Sequence, residues 1–104
     1  MDQNFQPYYA VIFTSTLTRK TEGYREMAKK MEELASRQPG YIAFESGRSE
    51  LGISISYWDS LEAIANWKAQ IEHQRAQELG KNKWYSSYKV RICKVEREYD
   101  FNLP

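Results

Sequence analysis

The sequence has one cysteine, Cys93, and one histidine, His73. A single cysteine excludes an internal disulfide and a cysteine-rich zinc site, and a single histidine excludes a multi-histidine metal centre. An excess of charge of either sign is also missing. Lys and Arg number 15 against 14 Asp and Glu, a formal net charge of +1. That balance offers no basic face for nucleic acid. No apolar run approaches the ~20 residues that span a bilayer. The opening stretch, Met1 to Pro7, is polar and lacks the apolar centre of a signal peptide. There is no glycine-rich phosphate loop, no GxGxxG and no Ser-His-Asp pattern. These absences together lead us to expect a cytoplasmic chain with no nucleic-acid or membrane partner. What the chain has in quantity is aromatic residues: eight Tyr, four Phe and three Trp among 104 residues. Its length is that of one domain, taken as 1–104 with a core over about 8–101. The 41% hydrophobic and 28% charged content is that of an ordinary globular chain.

Residues 8–17, YYAVIFTSTL, are β-branched and aromatic and predict a strand. Tyr9, Val11, Phe13 and Leu17 share one face; Tyr8, Ala10 and Ile12 share the other. Tyr24, Met27, Ala28, Met31, Leu34 and Ala35 then recur at helical spacing as one apolar stripe. Thr18 or Thr21 is a candidate cap, and Pro39-Gly40 ends the helix. Residues 41–48 and 53–58 predict two strands joined by a turn at Ser49-Glu50-Leu51-Gly52. In the first of these, Ile42 and Phe44 share a face with Ser46 and Arg48. A second helix starts at Asp59, with Asp59 as cap and Glu62 reaching back to it. Its inner stripe is Leu61, Ile64, Trp67 or Lys68, and Ile71, and Gly80 stops it, with a loop over 80–83. Residues 85–99 predict one long last strand, on which Val95 is out of phase with Tyr88, Val90 and Ile92. A bulge near Cys93 accounts for that slip.

The order is βαββαβ. This predicts an α+β, ferredoxin-like domain, with two helices on one face of a four-stranded antiparallel sheet. The opposite face carries apolar side chains without a cover. A second copy packed sheet to sheet, with the long last strand reaching across, is the simplest remedy, so a homodimer is expected.

The segments YAVIFTSTL, QPGYIAFESGR, ISISYWDSLEAIANWKAQIEHQRAQELG and WYSSYKVRICKVEREYDF, in that order, resemble the antibiotic biosynthesis monooxygenase (ABM) domain family, the dimeric α+β barrels. The resemblance spans about residues 8 to 101. It implies a homodimer with a small-molecule pocket in each protomer between sheet and helices. It also implies an oxidoreductase chemistry in some members that uses no metal, flavin or haem, the deprotonated substrate itself reducing dioxygen. The fold hosts many reactions, so the family is a better guide to architecture than to substrate.

The same resemblance singles out Trp67 and His73. Antibiotic-type oxygenases carry a helix tryptophan followed six residues later by a polar aromatic, and here that spacing gives Trp67 and His73 as the catalytic pair. They also carry an asparagine four residues before the tryptophan, where this chain has Ala63. Haem-degrading relatives have a histidine ligand ten residues after it, where this chain has Gln77, which argues against haem. His73 titrates near neutrality and suits a general base, although a histidine in Glu72-His73-Gln74-Arg75 equally suits a surface position. Trp67 lies on the apolar stripe, so packing and the wall of an aromatic pocket are compatible readings. Trp58, Trp84, Tyr85 and Phe13 are candidate substrate contacts on strands bordering such a pocket. Arg48 is a candidate for holding a substrate carboxylate or superoxide-like charge. Lys89 and Arg91 read as exposed strand residues, and Cys93 as an inert thiol. The readings that remain are a cofactor-independent monooxygenase on a small aromatic or polyketide-type compound, a non-catalytic dimeric ligand-binding or stress-response protein, and, third, a haem binder.

Overall fold

A computed structural model describes residues 4–73 and 83–104, with the side chains of Glu72 and His73 outside that description. Six elements run in order: β1 (Tyr8–Leu17), α1 (Tyr24–Ser36), β2 (Tyr41–Arg48), β3 (Gly52–Trp58), α2 (Leu61–His73) and β4 (Tyr85–Val95). The four strands form one sheet in the order β2-β3-β1-β4, every neighbouring pair antiparallel. This is the predicted ferredoxin-like α+β architecture. Among the described residues no helix is long and apolar enough to cross a membrane.

Strand alternation divides the sheet into two faces. Register places Val11 between Ser56 and Ile92, Phe13 between Ser54 and Val90, and Ser15 between Gly52 and Tyr88. This face lies under the helices. A core of Ala35, Trp58, Ala63, Ile64 and Trp67 forms there, with Tyr9, Val11, Leu34, Tyr41 and Ile71 packed around it. Trp58 is 0% exposed. Its indole Nε1 donates to Ser56 Oγ at 2.8 Å, so its one polar atom is satisfied.

Several sequence expectations shift in the structure. The start of α1 is capped by neither Thr18 nor Thr21. Gly23 takes the N-cap position at φ +82°, with no side-chain cap bond. Thr18 instead clips the chain at 83–84 to the end of β1, its N–H donating to the Trp84 carbonyl and its hydroxyl to that of Lys83. Ser60, not Asp59, caps α2, its Oγ accepting the Ala63 N–H at 3.1 Å. Leu61, read as part of the inner stripe, is 55% exposed, so the buried face of α2 is carried by Ala63, Ile64 and Trp67 instead. In β2 the register slips between Tyr41 and Ala43. The extra residue, Ile42, is 49% exposed, and Tyr41 takes the core side, its ring edge-on to Trp58. No slip occurs near Cys93. β4 pairs with β1 without interruption from Ser87 to Val95, and the irregularity sits at Thr16/Leu17. Val95 therefore faces away from the helices together with Cys93, opposite Tyr8 and Ala10. β4 ends at Val95 rather than near 99, since β1 begins at Tyr8 and offers no further partner. The expected helical continuation to Gly80 and the loop over 80–82 lie outside the described residues.

Candidate functional site: an aromatic cavity between sheet and helices

The helices do not close completely on the sheet. A cavity of about 330 Å³ remains between them, within the size range of small-molecule sites. Its floor is Val11, Phe13, Ser54 and Ser56 from the centre of the sheet. α1 supplies Tyr24, Met27 and Met31, which is the apolar stripe read from helical spacing, and α2 supplies Ile64, Trp67 and Ile71. Trp84 and Tyr85 close the end where β4 begins. The lining is mainly apolar and aromatic, which suits a flat hydrophobic ring system, with Glu32 of α1 and Lys68 of α2 its charged members.

Trp67 is 8% exposed and lies parallel to Trp58, ring centroids 6.1 Å apart. It is both a core residue and part of the cavity wall. Trp58 itself does not line the cavity. Its reading as a substrate contact is corrected: the end of β3 packs with Ala63, Ile64 and Trp67 of α2, and Trp58 is fully buried there. Trp84 lines the cavity with its indole Nε1 donating to the Glu22 carbonyl at 2.8 Å. Phe13 stacks on Tyr88 at 5.4 Å and meets Tyr85 edge-on. Tyr24 meets Trp84 and Tyr85 edge-on. Burial first, then the nearby Tyr24, raises the Tyr85 phenol well above its usual value. Tyr85 therefore stays neutral at physiological pH and acts as a hydrogen-bond donor, not as a base.

Arg48 does not itself line the cavity, but from β2 it reaches Tyr24 of the cavity wall. Its guanidinium crosses β3 above Gly52 to meet Ser15 on β1. Nη2 donates to Ser15 Oγ at 2.5 Å and to the Tyr24 hydroxyl at 3.3 Å, and Nη1 donates to the Ser15 carbonyl at 3.3 Å. The guanidinium carbon lies 5.5 Å from the Tyr24 ring centre. Tyr24 and Ser15 were not singled out by the sequence as site residues. The available signal was a serine, now 1% exposed, continuing the Tyr9, Val11, Phe13 face of the first strand.

His73 is the last residue of α2, and its side chain lies outside the described residues, as does Gln77. Ala63 is 7% exposed but does not line the cavity. Gly40, at φ +89°, runs so close that a Cβ on it would stand 2.5 Å from the Ala63 methyl. Among the described residues, no three His, Cys, Asp or Glu side chains converge to hold a metal.

Comparison with known proteins adds a lineage to this geometry. The chain is 49% identical to the uncharacterized protein YqjZ of Bacillus subtilis over 94 residues, 88% of this chain and 82% of that one. Its fold is similar to SnoaB, a cofactor-independent oxygenase from Streptomyces nogalater, with a TM-score of 0.70 at 11% identity over 91% of this chain and 97% of that one. It is also similar to protein SO0527 from Shewanella oneidensis, with a TM-score of 0.74 at 14% identity over 88% and 93%. At such identities these structures establish the fold alone. The sequence profile of the antibiotic biosynthesis monooxygenase family, however, matches residues 7–79, and the chain belongs to that family.

Proposed function

We propose that this protein is a cofactor-independent monooxygenase that oxidises a small aromatic or polyketide-type compound with dioxygen. The observation that supports it most is the aromatic-walled cavity, with Trp67 in its wall, in a chain of this family. In such chemistry an activated ring CH₂ or phenol gives a proton to a base. The carbanion then passes its electrons to dioxygen and forms a C–O bond as a hydroperoxide. Loss of water leaves a carbonyl, so one oxygen atom enters the product and the other leaves as water. The cavity's part is to hold the ring flat in position for dioxygen. Tyr85 is too weak an acid to serve as base once deprotonated groups are needed near neutrality. His73 is the base we assign, from its spacing to Trp67.

Oxygen consumption with anthrone-type and hydroquinone substrates tests the reading. Substrate-dependent uptake with one carbonyl formed per dioxygen is expected; no uptake across a broad panel overturns it. A second reading, a binding module without turnover, is favoured by Ala63. Its methyl lies close to Gly40 and offers no polar group of the kind that antibiotic-type oxygenases carry there. That reading predicts ligand-dependent thermal stabilisation with no oxygen consumed. In either case we propose that the working unit is a homodimer.

A further inference from the structure

The polar end of the cavity has an arrangement that packing alone does not require. Arg48 uses three of its five guanidinium N–H donors, two on Ser15 and one on Tyr24. Among the described residues no carboxylate pairs with it. The sheet makes room for it at a specific point. Gly52 lies between Ser15 and Arg48 in the register, and a Cβ there would stand 2.1 Å from the guanidinium. A glycine thus lets the cation lie across β3 and reach the site, where any other residue would push it off. The Tyr24 hydroxyl accepts from Arg48 and is hydrogen-bonded to the Tyr85 phenol, and Tyr24 and Tyr85 both line the cavity. A cation with two unused N–H groups thus stands against Tyr24, one of two phenols in the wall of an apolar, aromatic slot.

We propose that Arg48, Tyr24 and Tyr85 form a subsite for the carboxylate of an aromatic acid whose ring lies between the sheet and Trp67. A carboxylate matches the planar cation in charge and shape, and it can accept the one phenol proton that the Tyr24–Tyr85 hydrogen bond leaves over. The slot holds the ring and the Arg48 end fixes its direction, so the carbon to be oxidised is placed away from β2, toward α2. This specifies the substrate class of the reading above and rests on that reading for its catalytic meaning, but binding alone tests it.

Calorimetric titration of the intact protein with 2-naphthoate and with its neutral match, 2-naphthamide, reads the subsite directly. The carboxylate should bind at least about tenfold more tightly, the worth of one charge-assisted hydrogen bond. Arg48→Gln should abolish the preference while leaving naphthamide affinity within about twofold, since the apolar slot is unchanged. Gly52→Ala should do the same with the backbone in place, because the group it displaces is the far end of a flexible side chain. Tyr24→Phe keeps the ring packing and should weaken the preference only in part. Equal affinity for the two probes, binding of neither, or a preference that survives in both Arg48→Gln and Gly52→Ala overturns the proposal. The two readings fail separately. Carboxylate preference without oxygen uptake leaves the subsite standing and removes the enzyme. Uptake with neutral hydroquinones and no carboxylate preference does the reverse.

Discussion

At Trp67 packing and ligand contact fall on one side chain, and variants separate them. Trp67→Ala removes a ring that stacks on Trp58 within the core. It should cost about 3–5 kcal/mol of stability, read as a fall in denaturation midpoint. His73→Ala should leave the midpoint unchanged and lower kcat by about 10²–10⁴-fold on a confirmed substrate, the usual worth of a general base. Equal melting shifts at the two positions would assign both to packing. Full activity of His73→Ala would leave the substrate to deprotonate unaided in a cavity that only positions it. Much of the cavity wall was legible in the sequence because apolar periodicity marks a buried stripe: Tyr24, Met27 and Met31 follow directly from helical spacing. Arg48 was also within reach as a strand cation. Its partners were not. The bond to Ser15 depends on which residues of three strands stand side by side, and the passage above Gly52 depends on a missing Cβ. Register and close approach are three-dimensional facts with no local signature. Trp58 makes the same point in reverse, since its place beneath α2 follows from where that helix lands.

The elements themselves were largely readable, and their ends were not. Tyr8–Leu17 and Tyr41–Arg48 match the strands read from residue type, because β-branched and aromatic runs bounded by turns leave little choice. The caps differed because several residues near each start have suitable side chains and only backbone geometry selects among them. Where the backbone is decisive, substitution should show it. Gly40 accepts the Asp59 N–H at 2.8 Å through its carbonyl and packs on Ala63, joining the end of α1 to the start of α2. Gly40→Ala places a methyl at φ +89° against Ala63 and Asp59. It should lose about 1–3 kcal/mol from backbone strain alone. Gly47→Ala, with nothing within 4 Å of the added methyl, should stay within about 0.5 kcal/mol of the parent by the same measurement. The chain beyond β4 is tied back by chemistry of another kind. The Tyr8 hydroxyl donates to Glu98, and the Tyr57 hydroxyl donates to Glu45, each at 2.6 Å. These bonds, ahead of burial, push both phenols up to about 12 from 10.0. A phenol that holds its proton more tightly when folded stabilises the fold fully below its unfolded pKa. That contribution is lost as pH rises from about 10 through about 12. Both pairs are exposed, so salt screens the effect. Melting temperature should be level from about pH 7 to pH 9 and fall above about pH 10. The Tyr8→Phe, Tyr57→Phe double variant should fall less steeply; an unchanged slope rejects these bonds as the cause.

For the whole molecule the decisive feature is the sheet face turned away from the helices. Ala10 and Ile12 of β1 and Ile53 and Ile55 of β3 occupy its middle, paired across the strands as Thr14 with Ile53 and Ile12 with Ile55. Ile53 is 42% exposed, and Leu51 in the adjoining turn is 48% exposed. Around this apolar centre stand Glu45 on β2 and Lys89 and Arg91 on β4, since these positions alternate with residues that face the helices. An apolar middle within a charged border is the usual anatomy of a protein interface. Such a patch has the character to meet its own copy, and a two-fold axis pairs it with itself in a closed assembly. The expected state is therefore a homodimer burying more than about 1,000 Å² in total. Sedimentation at micromolar concentration should give twice the chain mass. Ile53→Glu places a charge at the centre of the patch and should shift the protein to a monomer, since a desolvated, unpaired carboxylate costs more than the contact it replaces. Glu45→Gln at the border should leave the dimer intact. The cavity lies on the other face of the sheet, so the Ile53→Glu monomer should still bind 2-naphthoate if each protomer holds its ligand alone. Loss of that binding together with dimerisation would mean that the sheet needs its partner to hold β1 and β3 in the register that brings Arg48, Gly52 and Ser15 together.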